Sequence, residues 1–169
     1  KNPYAITKLN SEKMVKKTFN KSKVKYLIFR FFTVFGPLGR PDMFIHKFLN
    51  NIKRRKLTKL YNNGMNYRDF TYVDDVVKIL FQALNKNMTK EIINICRSNP
   101  IITLELVNKI KKSFKAKKVI IKQTGFVKGE MLKTHGCNSK LISKFKGIKF
   151  TNFDLGLEKT IKTFKSFGF

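Results

Sequence analysis

Tyr4 and Lys8, the ends of the pentapeptide YAITK, stand four residues apart near the start of the chain. At i and i+4 on a helix the two side chains share one face, a turn apart. An ammonium at that distance stabilises a phenolate, which makes the tyrosine a base able to draw a proton from a sugar or alcohol hydroxyl. The same spacing describes any ordinary helix surface, so the pair needs a structural setting to count as a site. Arg40, in GRPD, offers a planar fork suited to a diphosphate or a carboxylate. Other candidate groupings read as structure. His46 and His135 lack partners at metal-ligand spacing, and Cys96 and Cys137 lie far apart without a CxxC, so no metal centre is expected. The neighbouring carboxylates Asp74 and Asp75 point different ways on a helix and are expected to serve its N-terminus.

The elements that must hold these residues follow from the pattern of apolar side chains. Pro3 with Ile6, Leu9, Met14, Val15 and Phe19 predicts a helix over 3–20. VKYLIFRFF, residues 24–32, reads as a buried parallel strand. TVFGPLGRPD, 33–42, is dense in Gly and Pro and predicts a loop. A helix over 43–56, a short strand LTKLY, a turn NNGMNY and an extended RDFTY come next, followed by a helix over 74–86. EIINIC, 91–96, predicts another buried strand, Thr103 caps a helix over 104–114, and KKVIIK is a strand. GFVKGEMLKTHGCNS is a long irregular stretch of the kind that carries function, before closing helices at 139–145 and 154–165. The alternation of strands and helices gives the fold class α/β. Neither GxGxxG nor a P-loop follows a strand anywhere in the sequence.

Composition narrows the function classes. With 42% apolar residues and 17 Phe in 169 residues, the chain has enough to bury a real core. No run approaches the roughly 20 apolar residues of a membrane helix, and the opening KNPYAITKLN carries no apolar signal region. Two cysteines without partners suit a reducing compartment, so the expected location is cytoplasmic. The net charge of +27 invites a nucleic-acid reading. The lysines, however, are spread along the whole chain, and only six of the 37 basic residues are Arg. A solvated basic surface is the better reading, and nucleic acid is not the expected partner.

Three segments in order, YAITK, FRFFTVFGPLGRPDM and NNGMNYRDFTYVDDVV, resemble the extended short-chain dehydrogenase/reductases. Within them the match is to the NAD-dependent nucleotide-sugar epimerase/dehydratase family, and there to the UDP-glucuronate 4-epimerase group. The resemblance implies a Rossmann-type parallel sheet plus a small α/β substrate-binding domain. In that family YxxxK falls about halfway along the chain. Residues 1–169 are therefore expected to be a C-terminal half, inactive alone, with the glycine-rich NAD loop and the third catalytic residue elsewhere. For the full-length enzyme the resemblance is compatible with a homodimer.

The resemblance also implies roles. Tyr4 is the base toward the sugar 4-hydroxyl, and Lys8 holds the nicotinamide ribose; Phe32 and Val34 lie beside the nicotinamide. Thr33 contacts the hexuronic acid, Arg40 and Arg68 meet anionic groups, Tyr61 packs on the uracil and Glu130 bonds the ribose. Glu130 and Asn138 both stand where the family has Asp. The expected reaction converts UDP-glucuronate to UDP-galacturonate through a 4-keto sugar. Another epimerase, dehydratase or decarboxylase of the family, and a non-catalytic basic binding protein, remain the alternatives.

Overall fold

In the computed structural model, which describes residues 3–114, 119–127 and 129–167, three of four strand pairings run parallel. The chain opens with α1 (Pro3–Phe19), then β1 (Leu27–Phe31) and, one residue later, β2 (Thr33–Phe35). Helix α2 (Phe44–Lys53) and β3 (Thr58–Leu60) lead to a 3-10 turn at Tyr61–Gly64, then β4 (Tyr67–Arg68), β5 (Phe70–Tyr72) and α3 (Val73–Leu84). The remainder is β6 (Glu91–Ile95), β7 (Ile101–Ile102), α4 (Thr103–Phe114), β8 (Ile121–Gln123), α5 (Ser139–Lys144) and α6 (Phe153–Ser166). β1 pairs with β6, β2 with β5 and β3 with β8, all parallel, while β4 and β7 are antiparallel. Parallel pairing needs long crossovers, and α2 and α3 lie within those joining β2 to β5 and β1 to β6.

Two apolar cores hold these layers. One lies under β6, where Ile93 and Ile95 meet Val76 and Ile79 of α3 and Leu141 and Phe145 at α5. The other gathers α2, α4 and α6 around β5. Ile45, Phe48, Leu49 and Ile52 recur at helical spacing along α2, and each fully buried side chain of this kind contributes about 1.5–3 kcal/mol. Helix α6 sits hard against Tyr72: a β-carbon at Gly156 would lie 2.8 Å from that ring. Its N-terminus is capped by Asn152, whose side-chain oxygen accepts from the Asp154 and Leu155 amides.

Helix α1 differs from the rest. None of its residues is buried, and Ile6, Leu9 and Met14 stay exposed. It is tied to β1 by a two-pronged ion pair from Arg30 to Glu12, at 2.7 and 2.6 Å.

Three expectations need correcting. Residues 33–35 form a strand, because the pairing with β5 supplies a partner that a Gly/Pro count does not see; the loop begins at Gly36. In KKVIIK the strand is confined to its C-terminal part, with Lys117 and Lys118 outside the described residues. Asp75 does more than face a helix end. It is buried, and its carboxylate accepts from the Thr151 amide and hydroxyl, both at 2.8 Å, which ties α3 to the segment before α6.

Candidate active site

β1 and β2 carry side chains to their C-terminal ends, where α/β sheets place their ligand crevices. There a cavity of about 520 Å³ opens, with Tyr4 of α1 on one wall and Phe32, Thr33 and Val34 on another. Arg40 and His46 complete it. Lys8 lies one turn beyond Tyr4 on α1, its Nζ 5.6 Å from the centre of the Tyr4 ring. That is cation–π range, and it confirms that the two side chains share a face. The phenol stands at the cavity mouth, 70% of Tyr4 being exposed.

A second cavity of about 530 Å³ gathers Tyr61 and Arg68, seven residues apart, with Glu130 from a distant segment. Phe44 and Phe70 line both cavities, so the two share a wall. Each of the three is placed by local structure. Tyr61 opens the 3-10 turn after β3. In that turn Asn62 and Asn63 hold φ of 50° and 53°, the left-handed region that asparagine tolerates. Their amides donate to the Gly125 and Thr124 carbonyls, which fastens the start of the irregular 125–139 stretch to Tyr61. Farther along, that stretch lies against β4: Tyr67 donates to Leu132 at 2.8 Å and accepts from Thr134 at 3.0 Å. Glu130 is thereby carried to Arg68, with Oε2 3.4 Å from Nη2.

The Arg68 guanidinium is half-buried and also donates to the Tyr67 carbonyl at 2.9 Å. Burial pushes its pKa down, and the charge of Glu130 only partly opposes this. A cation left so incompletely compensated in a cavity favours an anionic ligand. Lys47 and Lys59 add positive charge to the same walls, and Thr103 and the buried Asn66 add polar groups. Neither lysine was singled out in the sequence, where they are lost among so many others.

Arg40 lines the Tyr4 cavity and is absent from the walls around Arg68. Its guanidinium grips Asp42 with two bonds, at 3.1 and 2.6 Å, which raises the arginine's pKa and lowers the aspartate's. Asn138 lines neither cavity; it donates to the Cys96 carbonyl at 3.1 Å.

Sequence reasoning missed Asp69. Fully buried between Arg68 and Phe70, its Oδ2 accepts from the Ser98 and Gly136 amides, each at 3.1 Å. Its carbonyl accepts from Thr33 at 3.0 Å, so one residue joins β2 to two loops, those holding Ser98 and Gly136. Its place between β4 and β5 gave no signal in the sequence, where it reads as the charged neighbour of Arg68.

The nicotinamide end of a dinucleotide fits what is present. A cavity of this size, at the ends of parallel strands, with an aromatic base on one wall and apolar Phe32 and Val34 on another, suits a flat ring beside a sugar. Among the described residues no cluster of three His, Cys, Asp or Glu side chains gathers to hold a metal, and no helix is long and apolar enough to cross a membrane.

Comparison with known proteins agrees with this geometry. The chain is 37% identical over 139 residues to an uncharacterised protein of Methanocaldococcus jannaschii, covering 81% of this chain and 42% of that one. It is 30% identical over 159 residues to a UDP-glucuronate 4-epimerase of Thermodesulfobacterium geofontis, covering 94% of this chain and 49% of that one. The chain thus spans about half the length of the curated relatives it matches. Among solved structures, the UDP-glucuronic acid 4-epimerase of Bacillus cereus, in complex with UDP-glucuronic acid and NAD, superposes with a TM-score of 0.88 at 28% identity. That match covers 98% of this chain and 53% of the other. The profile of the NAD dependent epimerase/dehydratase family matches residues 1–96, more than half of the sequence, and the chain belongs to that family.

Proposed function

We propose that this chain is the C-terminal, substrate-binding half of an NAD-dependent nucleotide-sugar 4-epimerase that converts UDP-glucuronate to UDP-galacturonate. The observation that carries the reading is the shared Phe44–Phe70 wall. It sets a cavity with a proton acceptor against a cavity with an aromatic ring and a half-buried arginine. A nucleotide sugar is long enough to need both, and its two ends differ in chemistry as the two cavities do.

Tyr4 takes the proton from the sugar 4-hydroxyl, and Lys8 stabilises the charge that develops on the phenolic oxygen. A bound NAD would supply the acceptor for the C4 hydride and its donor on return to the opposite face, and the Tyr4 phenol gives its proton back to the sugar oxygen. Lys8 holds the nicotinamide ribose, and Phe32 and Val34 shield the ring from water. Thr33 donates to the hexuronate, and Arg40 offers its charge near the same carboxylate. At the other end Arg68 binds the diphosphate, Tyr61 stacks on the uracil and Glu130 accepts from the ribose hydroxyls.

The rest of the NAD site belongs, in this reading, to a further segment that docks on β1. Among the described residues β1 pairs on one edge alone, and the apolar side chains of α1 beside it stay exposed. Nuclear magnetic resonance of the labelled chain titrated with UDP tests the nucleotide half of the proposal. The backbone amides of Tyr61 and Arg68 are expected to shift on saturation, and no shift at either would end it. Given UDP-glucuronate and NAD, the chain alone is expected to show no turnover, and measurable epimerisation would refute its assignment as a half-enzyme.

A further inference from the structure

His46 has no part in the chemistry proposed above. It is nevertheless buried on the inner face of α2, and its ring reaches the loop that walls the Tyr4 cavity. Its Nε2 sits 3.0 Å from the Gly39 amide nitrogen and 2.9 Å from the Gly36 carbonyl oxygen. One nitrogen serves one of these groups at a time: bare, it accepts from Gly39; carrying the proton, it donates to Gly36. In either form the ring holds the loop by a polar bond made inside the protein.

The loop is shaped to receive that ring. A β-carbon at Gly39 would lie 2.6 Å from both Cδ2 and Nε2 of His46, so only glycine permits this approach. On the far side, a β-carbon at Gly36 would come 2.3 Å from Val73. Leu38, between the two glycines, holds φ of 56° with its side chain exposed, so its own contacts do not account for that unfavourable conformation. Arg40 follows directly after Gly39.

We infer that His46 is a positioning residue for the cavity, clasping residues 36–40 so that Arg40 meets the sugar end of the ligand. The inference rests on the assignment of that cavity to the sugar. Packing alone does not need the nitrogen, since an apolar side chain would fill the space without it.

Two variants separate the polar bond from the volume. His46→Phe keeps a ring and removes Nε2; His46→Gln puts a carboxamide near that atom, able to accept from Gly39 and donate to Gly36 together. Deuterium exchange read by mass spectrometry reports on the loop, and calorimetry reports affinity for UDP and for UDP-glucuronate. In His46→Phe, exchange over residues 36–40 is expected to rise about tenfold, as for the loss of one hydrogen bond, with α4 unchanged. Affinity for UDP-glucuronate falls by a similar factor, affinity for UDP holds, and His46→Gln recovers both losses. Loop exchange equal to that of the unaltered chain, or a loosening that reaches α4 and is not recovered by Gln, would overturn the inference. If the unaltered chain binds neither ligand, the functional reading falls, and loop exchange in the two variants still decides whether His46 is a clasp.

Discussion

Replacing Arg68 by Met removes the half-buried cation of the second cavity while keeping most of the apolar stem. In the ligand-free protein the guanidinium donates to the Tyr67 carbonyl at 2.9 Å and faces Glu130 at 3.4 Å, a distance too long for a strong charged bond. Its charge therefore remains available, and a diphosphate would supply the missing partner. A hydrogen bond to a charged group is worth about 1.5–3 kcal/mol net, so losing one predicts a fall in UDP affinity of about 10- to 150-fold. Glu130 adds to the loss, because without Arg68 its carboxylate faces the diphosphate unshielded. Adding Glu130→Gln should recover part of the affinity, with a coupling of about 0.5–3 kcal/mol between the two sites. Calorimetric titration of the four proteins with UDP, and with uridine as a ligand lacking phosphate, measures both effects. Uridine affinity should hold in Arg68→Met, which keeps Glu130 for the ribose. An Arg68→Met protein that stays folded and binds UDP within about twofold of the unaltered chain would refute the phosphate role for this cavity.

Other outcomes follow from packing and ionisation. Gly156→Ala pushes a methyl to 2.8 Å from Tyr72 and 3.0 Å from Phe35, an overpacking that should cost about 1–3 kcal/mol in chemical denaturation. Gly125→Ala, with nothing within 4 Å of the new atom, should stay within about 0.5 kcal/mol. Burial pushes the Cys96 thiol up to about 12, whereas Cys137 is exposed and its pKa is lowered by hydrogen bonding with Ser139. Iodoacetamide at neutral pH should therefore alkylate Cys137 and spare Cys96, as read by peptide mass; equal labelling would contradict the packing around β6. Hydrogen bonds from Lys140 and then Lys144 hold the Glu91 carboxyl below its ordinary 4.5. A lowered carboxylate contributes stability above its unfolded-state value and loses it as pH falls through the folded value. The melting deficit of Glu91→Gln should accordingly be present at pH 7 and vanish in acid.

Most of the helices were legible because their apolar spacing is decided locally. Ile45, Phe48, Leu49 and Ile52 repeat with the helical period, and α2 forms there. The family was legible for a different reason: YAITK, GPLGRPDM and RDFTY are short contiguous runs, and the chain belongs to the family they resemble. What escaped notice depends on partners distant in sequence. Thr33–Phe35 looks like a loop until Phe70–Tyr72 lies beside it. Asp75 looks like a helix-end charge until Thr151 arrives with two donors. Sequence alone likewise gave Arg40 a choice of anionic partners. Its place on the Tyr4 side was decided by the turn through Gly36 and Gly39, whose tightness comes from Val73 and His46.

The same reasoning explains why the two cavities keep a fixed separation. Thr33 of the sugar cavity is the register partner of Phe70, whose ring forms the wall, and Arg68 of the nucleotide cavity lies two residues before Phe70. Slipping that pairing by one residue would turn Thr33 to the other face of the strand and leave Arg68 where it was. Asp69 resists such a slip from between them. Its carbonyl takes the Thr33 amide, while its buried carboxylate takes the amides of Ser98 and Gly136. A neutral side chain there would weaken both bonds that hold the carboxylate in place, and β4 would lose its tie to the loops behind it. The separation of Thr33 from Arg68 is thus set by the pairing of β2 with β5, and Asp69 ties that pairing to the loops behind it.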